Sequence, residues 1–118
     1  MNIENFINDY YVFSNRPFYA YEQERILRQN IQSNDTVEEL VIIMEELAEL
    51  SQQVSKKIRG KEDKMHLLEE IADVYICLEE LKMLNSFTEK EIEIAKSVKL
   101  NRIKNKLNNG GNCNGTIF

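Results

Sequence analysis

Residues 35–59 read DTVEELVIIMEELAELSQQVSKKIR and close on Gly60, and this stretch decides the fold class. Apolar residues recur at Leu40, Met44, Leu47, Val54 and Ile58, steps that return to one side of a 3.6-residue helix and do not alternate as a strand would. Asp35 followed three residues later by Glu38 has the form of a capping box, and Gly60 is a natural terminator, so the spacing predicts a helix over 36–59. A polar link, 60–64, leads to Leu67, Ile71, Val74, Leu78 and Leu81 at the same steps, with Asn85-Ser86 as the stop, predicting a second helix over 64–84. Thr88 with Glu91 forms another capping box, and Ile92, Ala95, Val98, Ile103 and Leu107 mark a third helix that also carries Lys96, Lys99, Arg102, Lys104 and Lys106. Upstream, 19–32 reads as a further helix, and 1–18 as a short helix followed by a loop at Pro17. No segment reads as a strand. Short links favour antiparallel neighbours, which predicts an all-α antiparallel bundle of four to five helices over 1–107, ahead of an asparagine- and glycine-rich tail, 108–118, expected to be disordered.

The 118 residues are 42% hydrophobic and 30% charged, the balance of one folded soluble domain. A chain of this size hides roughly two-thirds of its unfolded surface, which leaves little apolar material for a deep private pocket and favours a site near subunit contacts. Fifteen basic against 20 acidic residues, a net charge of -5, argue against binding duplex nucleic acid by phosphate neutralisation. An acidic protein that handles phosphates needs a cation. The longest uncharged apolar run, Leu40–Met44, is far below the about 20 residues of a membrane span. Residues 1–10 lack the basic start and apolar core of an export signal, so the expected location is cytoplasmic. Cys77 and Cys113 have neither disulfide nor zinc spacing.

Two acidic clusters stand out, Glu45-Glu46-Leu47-Ala48-Glu49 and Glu70-Ile71-Ala72-Asp73. Residues three apart lie about 60° apart around a helix and one turn along it, so Glu46 with Glu49, and Glu70 with Asp73, can each converge on one point. A hairpin of the two helices could gather all four. Two readings compete at this level. The acids are a solvated face, or they hold a hard divalent cation, since clustered carboxylates cannot all ionise without one. Neither Glu46 nor Glu49 has a basic residue at i+4, and Ile42 lies one turn before Glu46 in a stretch apolar nearly all round, which implies cover on that side. Oxygen-only donors select Mg²⁺, with Mn²⁺ possible, over zinc.

EExxE at Glu45–Glu49, a gap of about twenty and ExxD at Glu70–Asp73 resemble the signature of the MazG-like all-alpha nucleoside triphosphate pyrophosphatases. The wider stretch, EELAELSQQVSKKIRGK and then LLEEIADVYICLEELK, is similar to small stand-alone members, and the likeness covers about 36–107. It implies Mg²⁺-dependent cleavage between the α and β phosphates of a nucleotide, giving the monophosphate and pyrophosphate. It implies Glu46, Glu49, Glu70 and Asp73 as metal ligands, and places Glu45 in the catalytic set, with a second metal, a water or a basic partner as its open roles. Lys99, Asn101 and Arg102 resemble the positions that meet phosphates, Lys99 and Arg102 also counting as catalytic. Family members form dimers and tetramers, so a homodimer or homotetramer is implied.

Lys56, Lys57 and Arg59 suit a helix C-terminus electrostatically. Asp63 and His66 have acid-x-x-His spacing, which a di-iron bundle would need on two helices, so His66 is read as a helix-start residue. Cys77 is read as a buried core thiol. Tyr10, Tyr11, Phe13 and Tyr19 could stack a base or pack on the bundle. The alternative to an enzyme is a helical interaction module binding through Val41–Met44, with a nucleotide-binding family member without catalysis between the two.

Overall fold

The computed structural model describes residues 2–13 and 16–110, and among them the regular structure is entirely helical. Five helices follow in order: α1 (Ile3–Phe13), α2 (Ala20–Gln32), α3 (Thr36–Ile58), α4 (Lys64–Leu84) and α5 (Glu89–Asn108). The chain divides into two units, Met1–Asn85 and Ser86–Phe118. The tail expected to be disordered lies outside the described residues from 111 onward, as do the side chains of Tyr10, Tyr11 and Phe13.

In the first unit α3 packs on α4 and α2 packs on α4. Glu39, near the start of α3, meets Glu80, near the end of α4, and Glu49 meets Glu70, so the hairpin is antiparallel. Its turn is built by Gly60 at φ 70°, with Lys61 N–H donating to Lys56 O at 2.8 Å and Gly60 N–H to Lys57 O at 3.2 Å. That pair of bonds is a Schellman closure, which needs a left-handed residue where glycine stands. Asp63 then starts α4 by accepting from Met65 N–H at 3.0 Å and His66 N–H at 3.2 Å. Its other oxygen sits 3.0 Å from His66 Nδ1, so the acid-x-x-His spacing is a helix cap.

The box at the head of α3 does not form. Asp35 has the extended backbone of an N-cap, φ -65° and ψ 144°, but its side chain makes no capping hydrogen bond. The box of the second unit does form, Thr88 N–H donating to Glu91 Oε1 at 3.0 Å and Glu91 N–H to Thr88 Oγ1 at 3.1 Å. A third start, at the head of the helix expected over 19–32, is Tyr19, whose N–H donates to Glu22 Oε1 at 2.8 Å. Arg16 pairs with the same carboxylate at 2.8 Å and lies 4.0 Å over the Tyr19 ring.

The row of α3 that carries the helical periodicity is not its buried row. Leu40, Met44, Leu47, Val54 and Ile58 are all exposed, Met44 at 69% and Ile58 at 81%. The row turned inward is Glu39, Ile43, Glu46, Leu50 and Gln53, buried or half-buried. Ile42, expected to lie under cover, is 42% exposed, and Glu46 is covered along the Ile43 row instead. The fully buried apolar residues described are Ile43, Met65, Val74 and Cys77, a thin core for this chain. No described helix is long and apolar enough to cross a membrane.

Candidate functional site

The i, i+3 step on α3 and the antiparallel run of α4 place three carboxylates together. One oxygen from each of Glu46, Glu49 and Glu70 lies within 4.8 Å of the others. Two full charges at that distance repel by roughly 3–4 kcal/mol at the effective dielectric of a protein surface. The cluster therefore keeps protons or takes a cation. Without a cation, burial and then the charges of Asp73, Glu49 and Glu70 push the Glu46 carboxyl up to about 7. Glu70 is raised as well, first by burial and then by Glu49 and Asp73. Asp73, one turn from Glu70 and half-buried, thus belongs to the same electrostatic group.

Among the described residues, three buried side-chain atoms have no hydrogen-bond partner: Glu46 Oε2, Glu70 Oε2 and Gln53 Oε1. All three are oxygens, and each orphaned acceptor costs roughly 1–3 kcal/mol, more when charged. A hard cation would satisfy the two carboxylate oxygens, because it replaces the missing donors and cancels the repulsion together. The residues present therefore fit Mg²⁺ or Mn²⁺.

The remaining predicted residues fall elsewhere. Glu45 is exposed and outside the converging trio. Lys99, Asn101 and Arg102 lie on α5, in the second unit, Lys99 half-buried and the other two exposed. Lys99 and Arg102 share a face there, with Asn101 about 200° around the helix from Lys99. Lys57 is engaged by Glu62 at 2.7 Å, and Arg59 reaches back to Ser55 O at 3.4 Å, so both finish the end of α3. Cys77 is 4% exposed, and burial followed by the charge of Glu80 pushes its thiol up to about 11, the state of a core thiol and not of a nucleophile.

Two features escaped the sequence. Gln53 sits one turn beyond Glu49 on the inward row, and its orphaned oxygen follows from that row being covered. Glu39 and Glu80 are 1% and 4% exposed, the most deeply buried charged side chains described. Glu39 stands one turn before Ile43 and Glu80 one turn after Cys77. That register with buried residues is the signal that marks them, and it needs the buried row to be known first.

Comparison with known proteins adds no relative: no family model matches the chain, and neither curated proteins nor solved structures gave a significant match.

Proposed function

We propose that this chain is a Mg²⁺-dependent nucleotide pyrophosphohydrolase, cleaving a nucleoside triphosphate between its α and β phosphates to the monophosphate and pyrophosphate. The observation that carries the reading is the convergence of Glu46, Glu49 and Glu70 within 4.8 Å, two of them with a buried, unpartnered oxygen. The EExxE and ExxD spacing, which resembles that of the MazG-like pyrophosphatases, supplies the reaction class.

Glu46, Glu49, Glu70 and Asp73 would hold the cation, and Mn²⁺ suits the same oxygens. When bound, it neutralises phosphate oxygens and acidifies an attached water. The side chains hold charge more than they move protons. Glu46 must lose the proton it keeps up to about 7 before it can ligate. Water attack on phosphorus then breaks the anhydride bond, and the pyrophosphate departs with that bond's electron pair. Glu45, next to Glu46 and exposed, is free to orient water or to meet a second cation. By the motif resemblance, Lys99, Asn101 and Arg102 would bind phosphate, with Lys99 and Arg102 also serving catalysis by offsetting negative charge.

The proposal includes a homodimer or homotetramer in the cytoplasm. Its support is the exposed apolar row from Leu40 to Ile58, which a second copy would cover. That same exposure favours a second reading, a helical interaction module whose acids take no part in chemistry.

The deciding experiment incubates the protein with ribo- and deoxyribonucleoside triphosphates and Mg²⁺ or Mn²⁺, with Glu46→Gln as control, and separates the products by chromatography. Monophosphate and pyrophosphate from the wild type alone are expected. Cleavage of no nucleotide with either ion, or equal cleavage by the variant, overturns the proposal.

A further inference from the structure

Away from the carboxylate trio, a second group of polar side chains ties three elements together. Glu39 of α3 and Glu80 of α4 are buried, at 1% and 4% exposure, and face each other in the same antiparallel register that brings Glu49 to Glu70. Asn30, in the last turn of α2, donates through Nδ2 to Glu80 Oε2 at 2.9 Å. Asn34, between α2 and α3, donates through Nδ2 to Glu39 Oε1. Both asparagines offer N–H donors to the acids, so the group is arranged to bind itself and not a cation.

Two buried carboxylates that face each other without a counter-ion keep one proton between them, because two desolvated charges would repel. We propose that Glu39 and Glu80 share a single proton and form a pH-sensitive latch holding the end of α2 against the α3–α4 hairpin. Glu39 lies in the first turn of α3, where the helix dipole favours a negative charge, and Glu80 lies near the C-terminal end of α4, where it disfavours one. Glu80 is therefore the donor and Glu39 the acceptor. Burial raises the Glu80 carboxyl above its ordinary range, the Asn30 hydrogen bond lowers it in part, and the Glu39 charge raises it again.

Among the described residues, no ion pair reaches Glu39 or Glu80. Lys82, two residues on, is paired with Glu79 at 2.8 Å, and on α2 the exposed Arg28 is paired with Glu24 at 2.8 Å. Cys77, one turn before Glu80 on α4, stays a neutral thiol to about 11 and feels the charges of Glu80, Glu46, Asp73 and Glu39. Loss of the shared proton would leave two buried negative charges facing each other. The sign is then fixed: the folded value of Glu80 is raised, so the latch is intact in acid and opens as pH rises through that value.

Two measurements on the full chain test this. Carbon NMR of the glutamate side chains across a wide pH range is expected to show Glu80 titrating above the ordinary carboxylate range. Glu80 titrating within the ordinary range would overturn the proposal. Hydrogen exchange of the 20–32 amides, corrected for intrinsic rates, is expected to lose protection with rising pH, about tenfold per pH unit beyond the transition, in the wild type but not in Glu80→Gln, which keeps a donor without a proton to lose. Glu39→Gln, which removes the repulsion but leaves Glu80 buried, should lose protection less steeply than the wild type. Parallel profiles for wild type and variants would overturn it.

Discussion

At the scale of single residues, the structure turns on where a carboxylate can stay charged. Glu46 keeps its proton to about 7 because burial and three neighbouring acids oppose its charge. Its folded value is above the ordinary 4.5, so its contribution to stability is complete in acid and is lost as pH rises through about 7. A ligating cation removes that loss. Thermal melts in chelator should therefore show the wild type weakening from about pH 5 to about pH 8 relative to Glu46→Gln, and added Mg²⁺ should raise Tm more at the higher pH. Equal rises at both pH values would contradict the site. In turnover, Glu49→Gln and Asp73→Asn are expected to cost more than the roughly 10–100-fold that follows loss of an outer partner of a metal ligand. Circular dichroism should show helicity unchanged, and full activity in either variant would remove that residue from the ligand set.

At the scale of elements, helix ends were the most legible part of the sequence and the inward face of α3 the least. Gly60, Thr88 with Glu91, and Asn85-Ser86 each end or start a helix as their chemistry predicts, Ser86 taking a left-handed φ of 56°. Asp35 shows the limit, because a capping box states a possibility that the side chain need not take up. Asp63 shows the converse, a cap that spacing alone could also read as half of a metal motif. Gly60→Ala should cost about 1–2 kcal/mol through its left-handed backbone, since nothing lies within 4 Å of an added Cβ to clash with it. A chemical denaturation series checks this, and an unchanged midpoint would mean that the turn relaxes without strain. The convergence of Glu46 with Glu49 followed from the three-residue step. The burial of Glu39 and Glu80 did not, because α3 carries two rows with apolar residues and only the partner helix decides which one turns inward.

At the scale of the molecule, the thin core and the exposed row on α3 are one fact. The chain buries acids between α3 and α4 and leaves Leu40, Met44, Leu47, Val54 and Ile58 exposed, a row for which the proposed homo-oligomer would supply cover. If the cover is a second copy, sedimentation equilibrium should give a mass well above the 13.9 kDa of one chain, and Met44→Glu should lower it. A wild type that sediments as a monomer would leave the row to a different partner. The most direct measurement of the central claim is a titration of the wild type, Glu46→Gln and Glu70→Gln with Mn²⁺, followed by calorimetry and by the electron spin resonance of the free ion. Saturable binding by the wild type, much weakened in both variants, is the predicted result. No saturable binding by the wild type, or the same affinity in all three proteins, would contradict a metal site built from these carboxylates.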